Sequence, residues 1–358
     1  MSKIKIIILK PILTKEEIKQ KEGHYFPESH YTKHNKVIKT NTDVYGITED
    51  GTKKCLLKFR KNVIPEQICI DAYHSLEKHA KHKNSNRGAA AGKLSLSKLP
   101  KHVGNIIKTD SFRVFYKTKS GNVSRDNVSN IAQSNIAGYY DRPDRNNYNK
   151  KYNTKTKKNK TKTNKTKSKV SNLKVPMCRT TQFTKKNVEK WNKTIPLIKE
   201  ADKLFKQLVP DRHKIQLEIA NKTPEFQIDD TAYSTITINY NWRTASHCDS
   251  GDLDEGFGNL IVLEKSKSNL KSKSKPNSKS KSNSKTTHPE HKTLADNGFK
   301  GGYLGFPRWG ICVDVRQGDF LAMDVHEFHS NTPIIGDGRL SVVCYLRKKM
   351  INCIKHKI

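Results

Sequence analysis

Residues 234–252 read STITINYNWRTASHCDSGD, and the run alternates in chemistry. Ile236, Ile238, Tyr240 and Trp242 share one parity, while Asn239, Asn241, Arg243, His247 and Asp249 share the other. Successive side chains of a strand point to opposite faces, so this pattern predicts a strand with an apolar face toward a core and a chemical face. On such a chain His247 and Asp249, two apart, bring an imidazole and a carboxylate to one point. An H-x-D pair alone is a weak signal, since a surface histidine beside a turn aspartate gives the same letters. Its weight rests on a second histidine and an anion-binding arginine following on later strands. Two histidines and one carboxylate on one face of Fe(II) leave three positions open for a co-substrate and oxygen.

Working outward, short β runs continue toward the C-terminus: NLIVLE (259–264), GGYLGF (301–306), ICVDV (311–315), FLAMDV (320–325) and RLSVVCYLR (339–347). Turns such as PRWG and RQGD separate them. Upstream lies helical texture. Val188, Trp191, Ile195, Ile198, Ala201, Leu204, Phe205 and Leu208 form one stripe, with Pro196 a candidate kink. An earlier helix opens at Pro65, with Ile68, Ala72 and Leu76 on its buried face. The opening MSKIKIIILKPIL reads as an early strand. Helices followed by many short strands predict an α+β fold, a β-sandwich or barrel backed by a helical layer. On the last strand Arg339, Ser341, Val343, Tyr345 and Arg347 share a face opposite Leu340, Val342, Cys344 and Leu346. An arginine and a serine two apart suit a buried carboxylate: the guanidinium grips it in two places and the hydroxyl adds a donor. Alone, such a strand would more often carry an ordinary edge arginine.

The chain has 358 residues and a net charge of +35. Lys150 to Lys169 holds ten lysines and Lys265 to Lys285 eight, with no acid in either tract, which leaves seventeen of those charges on the rest. A basic body with two lysine tracts suits a polyanion binder, because each neutralised phosphate releases counterions. The competing reading is compositional: lysine outnumbers arginine 56 to 13, as an A/T-rich genome would also produce. Seven scattered cysteines without a C-x-x-C pair argue against a disulfide framework or a cysteine-rich zinc site, and favour a reducing compartment. No apolar run approaches the ~20 residues of a membrane span. A soluble, intracellular protein with no membrane partner is expected. Composition divides the chain into a partly ordered segment at 1–53, folded blocks at 54–145 and 173–350, disordered inserts at 146–172 and 265–297, and a basic tail at 351–358.

HCDSGDLDEGFGNLIVLE (247–264), GGYLGFPRWGICVDVRQGDFLAMDVHEFHSNTP (301–333) and GRLSVVCYLR (338–347) together resemble the TET/JBP family. These are Fe(II)/2-oxoglutarate-dependent dioxygenases that oxidise 5-methyl groups of pyrimidines in DNA. The resemblance spans about 175–350, with weaker echoes at NRGAAAG (86–92) and GYYDR (138–142). It implies a double-stranded β-helix (jelly-roll, cupin-like) oxygenase core, with Fe(II), 2-oxoglutarate and O2 as cofactor and co-substrates. DNA is the implied partner, with RNA open, for a monomer that is nuclear or associated with DNA in a viral factory.

By motif His247 and Asp249 match the first iron ligands. Of the two histidines in HEFHSNTP (326–333), His329 matches the distal ligand, ten residues before Arg339 and two before NTP. His326, three away and so on the opposite face of a strand, is left a supporting role. Arg339 matches the arginine that pairs with the 5-carboxylate of 2-oxoglutarate, beside Ser341. Tyr345 falls where the TET branch stacks an aromatic on the target base. Arg347 falls where that branch has a base-contacting histidine, and Asn241 on the chemical parity joins them toward substrate. After Asp249 the chain has SGD where the TET branch has its base-reading asparagine, and it lacks that branch's cysteine-rich zinc module. It looks closer to the base-J or microbial side. Cys248, between two ligands, is expected to point away from the metal. A related oxygenase acting on a protein side chain, and a non-catalytic basic binding module, are the alternatives.

Overall fold

The computed structural model describes residues 3–124, 128–141, 178–265 and 298–356. The inserts expected to be disordered, 146–172 and 265–297 apart from Lys265, lie outside the described residues, as do the last two residues of the tail. Among the described residues nine strands make the main sheet, in the order β1 (Lys5–Leu9), β2 (Thr42–Ile47), β3 (Lys53–Arg60), β13 (Phe320–Met323), β9 (Gly258–Glu264), β16 (Arg339–Tyr345), β8 (Thr235–Tyr240), β6 (Ser134–Tyr140) and β7 (Arg179–Thr180). Every neighbouring pair is antiparallel except β1 and β2. A smaller sheet faces it, with β11 (Leu304–Phe306) between β12 (Ile311–Val313) and β14 (Ser330–Asn331). The bridge between His247 and His329 extends this sheet by one more segment.

Followed along the chain, the strands alternate between the two sheets: β8 in the main sheet, the His247 segment opposite, β9 back, β11 and β12 opposite, then β13, β14 and β16. That winding is a double-stranded β-helix, so the α+β expectation and its core architecture both hold. A short ribbon of β10 (Phe299–Gly301) and β15 (Ile334–Gly336) closes one end. A second ribbon, β4 (Ile106–Thr109) with β5 (Val114–Tyr116), belongs to neither sheet.

Period-two alternation decides what each face does. On β8 and β16, Ile236, Ile238, Leu340 and Val342 point outward and are fully buried under the helices. Thr237, Asn239, Ser341 and Tyr345, at the other parity, line a cavity between the sheets. The Glu66–Ala80 helix begins after Pro65, whose φ of −57° suits the start of a helix. It buries Cys69, Ala72, Tyr73, Leu76 and Ala80, three or four apart, against the main sheet. The Val188–Leu208 helix packs beside it through Leu197, Ile198, Ala201 and Phe205, and runs on through Pro196. The inner face closes a second core in which Leu260, Val262 and Leu321 meet Leu304, Phe306 and Val313 of the smaller sheet and Trp309 of the turn between β11 and β12.

Three features go beyond or depart from the sequence reading. Strand β8 stops at Tyr240, because Asn241 turns the chain with a φ of +44°, a region that asparagine tolerates better than most residues. His247 and Asp249 therefore reach the cavity from the facing sheet, not from a continuation of β8. The first fifty residues supply β1, β2 and short helices at Lys15–Gln20 and Glu28–Thr32, so the main sheet draws on the 1–53 segment as well as both folded blocks. Finally, Cys178 and Cys353 are joined, 175 residues apart with Cα atoms 5.9 Å from each other, whereas the scattered cysteines had argued against a disulfide framework. The C-terminal helical turns fold back beside β7, an adjacency that spacing along the chain does not encode.

Burial predicts opposite fates for isoleucines that look alike in the sequence. Ile238→Ala, on the fully buried face, is expected to lower stability by about 3 kcal/mol in urea denaturation. Ile6→Ala on edge strand β1, where the side chain is 64% exposed, is expected to change it by less than ~0.5 kcal/mol.

Candidate metal centre and its cavity

His247 and His329 sit opposite one another across an antiparallel bridge and exchange both backbone hydrogen bonds, 3.1 and 3.0 Å. Their rings lie 4.4 Å apart. Each Nδ1 faces the carbonyl two residues earlier, Ala245 for His247 at 2.8 Å and Glu327 for His329 at 3.0 Å. A carbonyl only accepts, so each Nδ1 carries the proton and each Nε2 is left as a lone-pair donor. Both Nε2 atoms turn to Asp249, at 3.5 Å from Oδ1 and 3.6 Å from Oδ2. The backbone N–H of Asp249 is fixed on the Val325 carbonyl at 3.0 Å. One ligand atom from each of the three falls within 4.8 Å of the others, a set able to hold a metal ion. Two imidazoles and one carboxylate on one side, with open space opposite, suit a divalent transition metal that keeps exchangeable positions.

Protonation fits that role. Burial would raise the Asp249 carboxyl, but the neighbouring His247, His329 and Arg87 hold it below the usual range. Burial and the neighbouring His247 bring His329 down to about 4, so it is neutral near pH 7. Cys248 lies between two of the ligands and lines the cavity, but burial pushes its thiol up to about 12 and it is no part of the metal set.

His326 stands outside the set. It lies in a turn and not on a strand, with Nδ1 3.5 Å from Asp324 and Nε2 3.8 Å from Asp254. That turn is clamped: Asp324 accepts from the His326 N–H, and Lys54 bridges Asp324 and Glu327 at 3.0 and 2.6 Å. Glu327 also accepts from the Trp309 indole at 3.0 Å. The clamp places the Glu327 carbonyl that orients His329.

The cavity encloses about 490 Å³. Arg339 reaches its wall at 1% exposure, and among the described residues its Nε has no hydrogen-bond partner. Burial, then Arg316, lowers its pKa to about 10. Gly302 makes room for it, since a Cβ there would lie 2.9 Å from Nε. A buried guanidinium with an unused donor is costly unless an anion completes it. Ser341 accepts from Asn239 Nδ2 at 3.3 Å, so its own proton is free to donate. Tyr345 lines the cavity, its hydroxyl 3.1 Å from Thr237 Oγ1. Arg347 lines it too, with Nε on Asp141 at 2.8 Å and the guanidinium over the Tyr140 ring at 4.9 Å.

Asn241 is the one expected site residue that the structure keeps away from the cavity. Its side chain accepts from the Arg339 N–H at 2.9 Å and donates to Asp337, fastening the hairpin end. The left-handed turn at this residue breaks the parity that had placed it with the others. Arg87 and Asp252 are among the cavity residues that escaped the sequence reading. Arg87, in NRGAAAG, lines the cavity and donates to the Ser134 carbonyl at 3.2 Å. Asp252, the last residue of SGD, is buried in the wall, and burial with the nearby Asp249 charge raises its carboxyl well above the usual range. Both stand in stretches noted for other reasons. Nothing in residue type alone marks them as cavity-facing.

Two measurements follow. His329→Ala is expected to abolish binding of a divalent metal and His326→Ala to preserve it, read by metal analysis after dialysis; the reverse result would move the ligand. Asp324 is held at about 2, since the His326 hydrogen bond and the Lys54 charge outweigh the effect of burial. A depressed carboxyl stabilises the fold above its unfolded pKa, and that contribution is lost as pH falls through the folded value. Asp324→Asn should therefore cost roughly 2 kcal/mol at pH 7 in urea denaturation, with the deficit closing between about pH 4 and 2.

The model of the Tet_JBP family, described as the oxygenase domain of the 2OGFeDO superfamily, matches residues 166–348. Thymine dioxygenase JBP1-B of Trypanosoma cruzi is 31% identical over 177 residues, 48% of this chain and 17% of that protein. The bifunctional helicase and thymine dioxygenase JBP2 of Leishmania major is 31% identical over 181 residues, 49% of this chain and 13% of that protein. The match thus spans less than a fifth of these longer relatives. A solved structure of NgTET1 in complex with 5mC DNA is similar at a TM-score of 0.43 and 11% identity, covering 94% of this chain and 92% of the other.

Proposed function

Because this chain belongs to the Tet_JBP family of 2-oxoglutarate/Fe(II) oxygenase domains, we propose that it is a dioxygenase that oxidises the 5-methyl group of a pyrimidine, thymine or 5-methylcytosine, in DNA. The observation that carries this reading is one cavity holding both a His–Asp–His set and a buried arginine with an unused donor. The residues fit the cofactors. His247, Asp249 and His329 would hold Fe(II), and Arg339 with Ser341 would receive the far carboxylate of 2-oxoglutarate. Bound together with O2, these supply the oxidant that attacks a C–H bond.

The chain's own residues do the rest. The fixed Nδ1 protons keep both Nε2 atoms aimed at one point, so no ligand has to reorganise when the metal enters. Asp249 stays ionised, and His329 neutral, across the physiological range. Arg339 sets the direction of the co-substrate, and a salt bridge formed inside the cavity is stronger than one formed in water. A base inside a duplex must leave the stack to reach this cavity, at a cost of a few kcal/mol. Tyr345 offers a ring face for the extruded base. Arg347, held by Asp141 and Tyr140, offers further donors to its edge. The thymine dioxygenases among the relatives make thymine the first substrate to test.

Incubation with thymine- or 5-methylcytosine-containing duplex, Fe(II) and 2-oxoglutarate, followed by nucleoside mass spectrometry, is expected to yield an oxidised 5-methylpyrimidine and succinate. Arg339→Met should raise the 2-oxoglutarate concentration needed by roughly a hundredfold or more. Succinate formed only with a peptide or with RNA, or no succinate at all, would overturn the proposal.

A further inference from the structure

Residues 96–120 and the ribbon within them stand outside the structure that builds the metal centre. The β4–β5 ribbon pairs with neither sheet. Val114, Tyr116 and Val128 form a small core of their own, with Leu94, Leu99 and Val103 packed on it. The base of this module is tied down through Asn130, whose side chain donates to the carbonyls of Ala91 at 3.0 Å and Lys93 at 2.7 Å and accepts from the Ser95 N–H at 2.9 Å. Its tip is a tight turn in which Asp110 Oδ1 accepts from the N–H groups of Phe112 at 2.8 Å and Arg113 at 2.6 Å. Asp110, Phe112 and Arg113 then form part of the cavity wall. The module gives no residue to the metal set and none to the two main cores.

What it does carry is charge. Lys98, Lys101, Lys108, Arg113, Lys117 and Lys119 face a single acid, Asp110, within residues 96–120. All six are exposed, and among the described residues none lies within salt-bridge distance of a carboxylate. The one acid is engaged by the amides of its own turn. All four residues of β4 are exposed, including Ile106 at 44% and Ile107 at 47%. Unpaired like charges on so small a unit repel one another, and a polyanion relieves that repulsion while releasing counterions. A two-stranded ribbon is also narrow enough for a DNA major groove, about 12 Å wide.

We propose that this module is the phosphate clamp for the duplex whose base enters the cavity. The ribbon lies along the DNA beside the extruded nucleotide, its lysines on backbone phosphates and its tip at the cavity mouth. These contacts offset the cost of extruding the base. The proposal rests on the DNA-oxygenase reading and adds to it the surface that holds the substrate.

The test compares the full chain with two quadruple variants of equal charge change, by anisotropy of a labelled duplex between roughly 50 and 200 mM salt. One variant combines Lys101→Ala, Lys108→Ala, Lys117→Ala and Lys119→Ala. The other combines Lys185→Ala, Lys186→Ala, Lys206→Ala and Lys214→Ala on the helical layer. The ribbon variant is expected to bind at least tenfold more weakly, with a log–log salt slope shallower by roughly three to four, about 0.9 per lost contact. The helix variant should keep its slope within about one, and replacing the four ribbon lysines by arginine should restore binding. Equal losses in both alanine variants, no loss in the ribbon variant, or wild-type binding to RNA or an acidic polypeptide but not duplex would overturn the clamp. Base oxidation measured on the same samples separates the two ideas. Loss of binding in the ribbon variant without oxidation by any form keeps the clamp and rejects the oxygenase reading, whereas oxidation with unchanged binding does the opposite.

Discussion

His247 and His329 exchange both backbone hydrogen bonds across the smaller sheet, and the site's geometry descends from that pairing. Reciprocal hydrogen bonds between directly opposed residues fix their Cα atoms about 5.5 Å apart. Two imidazoles are thereby delivered to one place from segments 82 positions apart in sequence. The carbonyls that receive each Nδ1 belong to the same two segments, so register and tautomer are settled together. Asp249, two residues on from His247 and anchored on Val325, completes the set. Neither histidine can shift without breaking sheet hydrogen bonds, which is the rigidity a metal centre requires.

The arginines of the cavity divide by whether the protein itself satisfies them. Arg347 has Asp141 and the Tyr140 ring, and its pKa is raised, so it is already at home without a ligand. Among the described residues Arg339 has the Phe299 face 5.7 Å away and an unused Nε, and its pKa is lowered. The fold tolerates that deficit because β16 is locked on both sides, by β8 and β9, and Gly302 leaves the room. A paired cation shapes the wall, whereas an unpaired one awaits an anion.

Much of this was legible in the alternation of β8 and β16. The parity of Asn239, Ser341 and Tyr345 against Ile236, Ile238, Leu340 and Val342 divides cavity from helix-covered core. Parity failed where the backbone left the strand. Asn241 looked like a continuation of β8 and is a left-handed turn, which removed it from the cavity and carried the His247 segment to the other sheet. His326 was set apart from His329 by strand parity, and the structure separates them by a turn clamped through Lys54 and Asp324. Arg87 and Asp252, which line the cavity, and Tyr140 and Asp141, which hold Arg347, were invisible as site residues, because each comes from an element whose local pattern says nothing about its neighbours.

By itself the sequence determined the quantities that depend on near neighbours along the chain. These are which face of each strand is apolar, where the helices run, how the charge is spread, and that an H-x-D pair and an Arg-x-Ser pair sit on polar faces. Only the tertiary structure decided what depends on distant partners. It brought His329 to His247, left Arg339 Nε without a partner among the described residues, joined Cys178 to Cys353 and set the tip of a basic ribbon in the cavity wall. The reason is physical: side-chain direction follows from a residue's own backbone angles, whereas a hydrogen bond, a buried charge or a cavity wall requires a second segment, and pairing across sheets selects that segment.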